Sequence, residues 1–491
     1  MNNFKIIYHY ITKKIFFRIF YFFKLFPVFL FIGCTINPAT GNKELNLITA
    51  SEENSIGKNE HPKVLKEFGG IYKNESLQNY VKSLGNFIVK TSEMPNMNFK
   101  FTILDSPIVN AFALPGGYIY LTRGLIALCH NEAQLAGVIA HEIGHVTARH
   151  AARRYTKSIG TGLLANILGT LSKNYLVRDL IGKSASLYLL SFSREQEYEA
   201  DMLSVRYMIR AGFDPKEMSN FLKSMEKYSY LQKKMTNSDY KVSELLQTHP
   251  TSSKRVAEVI SLSEDRIPIN PIIGEEIFLK KIDGMTFGDS EKDGFFHKGK
   301  FFHKNLKISF EFDDDFFFYN YPNFLIGKAD DDTVVVFDMI KDIKNFDKAF
   351  LSNWGKVSES KILNFEKTII NDLSTIIGLI EKGNKTSRLV AFKDKDFIFR
   401  FALISKKSEF KKFDSKFKKI ILSFKRLDEM RSRNISSPKI KIISFSPESE
   451  QIEEILSNLN LQKRFSKEKF EILNDLEKKK GKKFFKLKTI Y

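Results

Sequence analysis

Cysteine is nearly absent: Cys34 and Cys129 are the only two in 491 residues, so at most one intramolecular disulfide can form and no cysteine-rich zinc site can be built. Stability must come from packing, and Cys129, inside the apolar run Leu125-Ile126-Ala127-Leu128, reads as a small buried hydrophobe rather than a reactive thiol. The apolar stretches at 25–33 and 159–171 are nine and thirteen residues long, short of the roughly 20 that span a bilayer. No tetratricopeptide pattern is present, which leaves the chain without a helical-repeat platform. Asp313-Asp314-Asp315 and Asp330-Asp331-Asp332 lack calcium-loop spacing and read as turns, and His297 and His303 have no metal-ligand context. The net charge of +20 invites a nucleic-acid reading, but lysine and the 46 phenylalanines are spread throughout rather than gathered into a basic patch, so no nucleic-acid partner is expected.

What is present begins with export grammar. Residues 1–33 carry five positive charges (Lys5, Lys13, Lys14, Arg18, Lys24), no acid, and then Leu25-Phe26-Pro27-Val28-Phe29-Leu30-Phe31-Ile32-Gly33. Ile32-Gly33-Cys34 resembles the end of a bacterial lipobox, with Phe31 where Leu or Val is usual. The expectation is a lipoprotein signal over 1–33 and lipidation of Cys34, tethering the rest to a membrane on the periplasmic side of a bacterial envelope, the outer membrane ahead of the inner.

The strongest motif is His141-Glu142-Ile143-Gly144-His145, preceded by the apolar-periodic Ala133, Leu135, Ala136, Val138 and Ile139 and by an Asn131/Gln134 helix start. Residues four apart share a helix face, so His141 and His145 can direct two imidazoles at one zinc ion. Glu142, about 100° round the helix, flanks the metal and can accept a proton from water, whose pKa zinc lowers toward neutrality. His150 sits about 140° round from His145 on a continued helix and is expected to point elsewhere. The longer HExxHxxGxxH pattern is missing, because Ala148 occupies the glycine position.

A third ligand is needed, and Ser193-Arg194-Glu195-Gln196-Glu197-Tyr198-Glu199-Ala200-Asp201 offers one. Ser193 and Gln196 form a capping-box pattern, and Glu197 and Asp201 share a face of the helix it opens. Glu197 can ligate while Asp201, one turn on, fixes the tautomer of a ligating imidazole. Glu195 and Glu199 compete for the ligand role. Three protein ligands would leave one position for water, the arrangement of a catalytic site.

Taken with Asn110-Ala111-Phe112-Ala113-Leu114-Pro115-Gly116-Gly117-Tyr118-Ile119-Tyr120 and Thr248-His249-Pro250, these motifs resemble the gluzincin family of HtpX, Oma and the CAAX prenyl proteases, and within it the BepA-like envelope proteases. The resemblance covers roughly 34–265 and implies a zinc endopeptidase acting on misfolded or stalled envelope polypeptides. It also implies that Gly116, Gly117 and Tyr118 lie beside the cleft, where Tyr118-Ile119-Tyr120-Leu121-Thr122 is expected as an exposed edge strand for substrate. His249 matches a family histidine facing the metal, which either stabilises the oxyanion or binds zinc as a removable fourth ligand. Residues 159–171 are expected as a cover helix near the cleft.

Beyond Ile267-Pro268-Ile269-Asn270-Pro271 the texture turns to alternating aromatic strands such as 306–312 and 397–401, with helical patterns at 366–379 and from Phe410 to Phe424. Residues 438–491 read strand, helix, helix, strand and weakly resemble a LysM module, which implies peptidoglycan as a partner; the basic run Lys478-Lys479-Lys480-Gly481-Lys482-Lys483 reads as a solvated face. The expected fold is α+β: a mainly helical zincin-type metalloprotease domain with a small edge sheet at 34–268, an α+β accessory domain at 272–428 and a LysM-like βααβ module at 437–491. The rival reading is a lipid-anchored chaperone or peptidoglycan-binding adaptor with a silent or structural zinc site.

Overall fold

The computed structural model describes residues 34–45, 49–154, 191–236, 249, 253–261, 264–313, 315–321, 324–329, 332–341, 346–351, 362–395, 397–447, 452–459 and 465–491. Residues 1–33, expected as a signal, the stretch at 159–171, expected as a cover helix, Thr248 and Pro250 lie outside them. Among the described residues no helix is long and apolar enough to cross a membrane.

A hairpin of β1 (Cys34–Ile36) and β2 (Lys43–Leu45) precedes α1 (Ala50–Glu67) and α2 (Glu75–Val89), which start on a Thr49/Glu52 capping box and an Asn74 cap. Strands β3 (Lys100–Leu104), β4 (Ala111–Leu114) and β5 (Tyr118–Thr122) form a sheet in the order β3-β5-β4, β5 running parallel to β3 and antiparallel to β4. The expected exposed edge at Tyr118–Thr122 is therefore overturned. β5 is hydrogen-bonded on both sides and buried throughout, and β3 and β4 are the outer strands. Gly116 and Gly117 both take φ of +81°, and a Cβ on Gly116 would lie 2.6 Å from the Asn54 Cα, so these glycines serve a tight turn packed on α1.

Helices α3 (Arg123–Leu128), α4 (Glu132–Thr147), α5 (Arg194–Arg210), α6 (Lys216–Thr236), α7 (Ser253–Ser261) and α8 (Glu275–Ile282) complete this half. Helix α4 is its axis, with residues from Ala133 to Ile143 buried without a break on every face. The Asn131 side chain accepts from the Gln134 amide at 2.9 Å and opens α4, and the Ser193/Gln196 capping box opens α5. Cys129 is fully buried here and burial pushes its thiol up to about 12, as befits a packing residue. Phe278, Leu279 and Ile282 of α8 belong to the same core although they lie past residue 268.

The next region is a pair of antiparallel sheets. In order come β6 (Phe295–His297), β7 (Lys300–His303), β8 (Ile308–Glu311), β9 (Phe317–Tyr321), β10 (Phe324–Lys328), β11 (Val334–Lys341), α9 (Phe346–Leu351), β12 (Ile362–Ile370), β13 (Leu373–Lys382), β14 (Lys385–Asp394), β15 (Phe397–Lys406), α10 (Lys407–Ser423), β16 (Lys425–Arg426) and α11 (Glu429–Asn434). One sheet runs β12-β13-β14-β15-β11-β10-β9 and the other β16-β8-β7-β6. Phe301, Phe310, Phe337, Phe399, Phe401 and Phe424 share one core with α10, which is where much of the phenylalanine goes. The helix expected at 366–379 is instead the β12–β13 hairpin. Asn371 and Asp372 take φ of 51° and 64°, the primed two-residue turn, and the β-branched Thr368, Ile369, Ile370, Thr375, Ile376 and Ile377 favour strands on either side.

The chain closes with β17 (Ile440–Phe445), α12 (Ile452–Asn458), α13 (Ser466–Asn474), α14 (Leu476–Lys479) and β18 (Phe485–Ile490), β17 and β18 pairing antiparallel. This unit sits on the first core, into which Ile440 and Ile490 are packed. The buried Lys488 Nζ donates to the carbonyls of Ala127 at 2.7 Å and Cys129 at 2.8 Å at the end of α3. His130 Nε2 meets the Ile472 carbonyl at 2.9 Å, and Lys478 pairs with the buried Glu217.

Candidate metal centre

Helices α4 and α5 cross at close range because Gly144 lets them. A Cβ there would sit 3.1 Å from the Ala200 carbonyl oxygen and 3.2 Å from the Leu203 Cβ. The crossing brings His141, Glu142 and His145 of α4 against Glu197 and Asp201 of α5, and His249 comes in beside them; all six are buried.

Four atoms converge. His145 Nε2 lies 3.0 Å from His141 Nε2 and 3.2 Å from His249 Nδ1, with His141 Nε2 to His249 Nδ1 at 3.4 Å. Glu197 Oε1 is 3.1 Å from His249 Nδ1 and 3.4 Å from His145 Nε2, and its Oε2 is 3.5 Å from His141 Nε2. A tetrahedral zinc with ligands at roughly 2.0–2.2 Å requires ligand atoms about 3.3–3.6 Å apart, and the observed spacings match that shape within a few tenths of an ångström. The donor chemistry fits too. Asp201 Oδ1 is 3.0 Å from His141 Nδ1, which puts that ring's proton on Nδ1 and turns the Nε2 lone pair to the centre. Three imidazole nitrogens and a carboxylate cannot satisfy one another by hydrogen bonds alone; a cation completes them. Glu195, one of the competing acids, is not among these ligand atoms, and neither is Glu199.

The field of the site is that of a cation cage. With no cation at the centre, burial works to lower the His141 imidazole, but the Asp201 and Glu197 carboxylates outweigh it and hold it up at about 10, so a proton sits on Nε2 until a cation displaces it. Burial would raise Glu197, yet His249 and the other two imidazoles hold it well below the usual carboxylate range. The His145 imidazole is driven well below its usual value, chiefly by burial. Glu142 differs from all of these. Its pKa is raised by burial against the pull of His249 and His141, and neither of its oxygens has a hydrogen bond among the described residues. His249 Nε2 lies 3.6 Å from its Oε1.

Sequence reasoning missed a second layer. His150 was expected to point away, but the helix breaks after Thr147, Arg149 takes φ of 53°, and His150 swings back so that its Nδ1 lies 2.7 Å from His145 Nδ1. His150 Nε2 meets Glu199 Oε2 at 2.7 Å, and Arg153 pairs with the same oxygen. Phe192 stacks on His145, ring centroids 3.9 Å apart, with Arg154 over its other side at 4.3 Å. The break itself is held by Asn37 Nδ2, donating to the Ala148 carbonyl at 2.9 Å, and by the Arg149–Glu53 ion pair at 2.9 Å.

Residues 75–263 match the model of the family described as Peptidase family M48. The chain is 34% identical over 227 residues to the beta-barrel assembly-enhancing protease of Yersinia pestis, a match covering 43% of this chain and 45% of that protein. It is 28% identical over 256 residues to the protein of that name in Escherichia coli (strain K12), 50% of each chain. To the mitochondrial metalloendopeptidase OMA1 of Arabidopsis thaliana it is 32% identical over 166 residues, 34% of this chain and 32% of that one. The match thus spans half or less of the length of these relatives.

Proposed function

We propose that this chain, whose residues 75–263 match the model described as Peptidase family M48, is a zinc-dependent endopeptidase acting on unfolded or stalled polypeptides of a bacterial envelope. The observation that carries the reading is the convergence of His141, His145, His249 and Glu197 on one point, with the unbonded Glu142 carboxylate beside it. Zinc held there supplies Lewis acidity, polarising a peptide carbonyl and making a water acidic enough to lose a proton near neutral pH. Glu142 takes that proton on a carboxylate oxygen and returns it to the departing nitrogen, and its burial suits it to both tasks by moving its pKa toward the working pH. Asp201 holds the His141 ring in the tautomer that faces the centre.

His249 is the member of the group that has to be accounted for twice. With its Nδ1 inside the ligand cluster, the resting site has four protein ligands, so a substrate gains access by displacing His249 from the fourth position. The same observation favours the second reading, a tethered chaperone or adaptor in which the four-ligand site stays closed. The envelope setting is supported by the export grammar of residues 1–33 and by the names of the relatives; lipidation at Cys34 and a glycan-binding role for residues 437–491 remain parts of the proposal that rest on sequence alone. Replacing Glu142 by Gln separates the two functions. The enzyme reading expects zinc and fold retained and cleavage of casein abolished; envelope function that survives the change intact contradicts it.

A further inference from the structure

We propose that His150 is a positioning residue for the metal centre, the buried middle of a relay that runs from the part-buried Glu199 through His150 to the buried His145 and fixes which nitrogen of His145 faces the ion. This rests on the zinc reading above. The order of protons follows from the acceptors at each end. The Glu199 carboxylate can only accept, so the His150 nitrogen 2.7 Å from it, Nε2, carries a proton. With its proton on Nε2, His150 presents Nδ1 as an acceptor, and the His145 Nδ1 at 2.7 Å must donate to it. His145 is thereby left with a lone pair on Nε2, the atom that lies 3.0 Å from His141 Nε2 and 3.2 Å from His249 Nδ1. Had His145 carried its proton on Nε2, an N–H would point into the centre and exclude a cation.

The relay is built rather than incidental. His150 has no exposed surface, and Gln196 of the α5 capping box donates to its carbonyl at 3.4 Å. Arg153 anchors Glu199 from the outer side, while Asn37 and Glu53 hold the left-handed turn at Arg149 that turns His150 inward. Each of the two helical histidine ligands is thus oriented by its own carboxylate, Asp201 directly for His141 and Glu199 through an intervening imidazole for His145.

The test is zinc affinity of the intact chain by chelator competition, with the visible absorption of the cobalt-substituted protein as a second readout. His150→Leu is expected to weaken zinc by about 10–100-fold and to change the cobalt bands, whereas His150→Gln, whose carboxamide can accept from His145 and donate to Glu199, is expected to stay within about threefold of the parent. Unfolding of the metal-free Leu and Gln variants serves as the control for fold. Zinc affinity and cobalt spectrum unchanged in His150→Leu overturn the proposal, as does a Gln variant no better than the Leu one. If His150→Leu fails to fold, Glu199→Leu takes its place: weaker zinc supports the relay and unchanged affinity overturns it. A parent chain that binds no zinc instead removes the metal-centre reading itself, an outcome distinct from these.

Discussion

Lys488 is a cation sealed between two units of the chain, and replacing it with Met should flatten part of the pH dependence of stability. Its side chain is 2% exposed, it donates to the Ala127 and Cys129 carbonyls, and burial lowers its pKa from 10.5 to about 7. A lysine whose folded pKa is depressed sheds its proton at lower pH in the native protein than in the unfolded chain. Between about pH 7 and 10.5 the unfolded state therefore binds more protons, and stability rises with pH in that window. The slope is about 1.4 kcal/mol per pH unit, so the parent gains roughly 2 kcal/mol between pH 7.5 and 9 from this group. Lys488→Met has nothing to titrate there and leaves two buried carbonyls short of a donor, at a cost of about 1–3 kcal/mol each, offset near pH 7 by relief from burying the charge. The assay is urea unfolding of parent and variant at several pH values, taking the difference so that titrating groups not coupled to Lys488 cancel. The difference should grow in favour of the parent by roughly 2 kcal/mol across that range. Parallel stability curves would refute the reasoning.

Three further outcomes follow from the centre. His249→Ala should keep zinc while raising basal cleavage of casein, because the fourth protein ligand is gone; a role at the oxyanion instead lowers kcat by about 100-fold or more, and kinetics of the purified variant distinguish them. Gly144→Val should push α5 off α4, since even a Cβ there is 3.1 Å from the Ala200 carbonyl oxygen, costing about 1–3 kcal/mol in unfolding experiments and weakening zinc in parallel. Glu142→Gln should bind zinc as the parent does and cleave nothing, read by metal analysis alongside the protease assay.

The ligand geometry was legible in the sequence where it is local. The four-residue spacing of His141 and His145, the caps at Asn131 and Ser193, and the shared face of Glu197 and Asp201 each depend only on the helix that carries them. What was not legible depends on partners distant in the chain. His150 reaches the back of His145 because Asn37 and Glu53, some hundred residues earlier, hold a left-handed turn at Arg149. Tyr118–Thr122 is expected as an edge from the resemblance and its strand-forming residues, neither of which reveals that Lys100–Leu104 runs parallel along its other side. Residues 366–379, expected as a helix, lie in the hairpin of Ile362–Ile370 and Leu373–Lys382 because short apolar runs fit either period, and the decisive feature, two positive φ angles at Asn371 and Asp372, is carried by turn residues rather than by the pattern. The place of the C-terminal unit on the first core was invisible because its partners are distant in the chain, since Lys488 is an unremarkable lysine until its carbonyl partners are known.

The most direct measurement is the zinc content of the purified chain with and without Glu197→Ala. The account expects one zinc per parent chain and its loss from a variant that still folds, because the carboxylate is the one anionic ligand among three imidazoles. Equal zinc in the two proteins, or none in the parent, would contradict it.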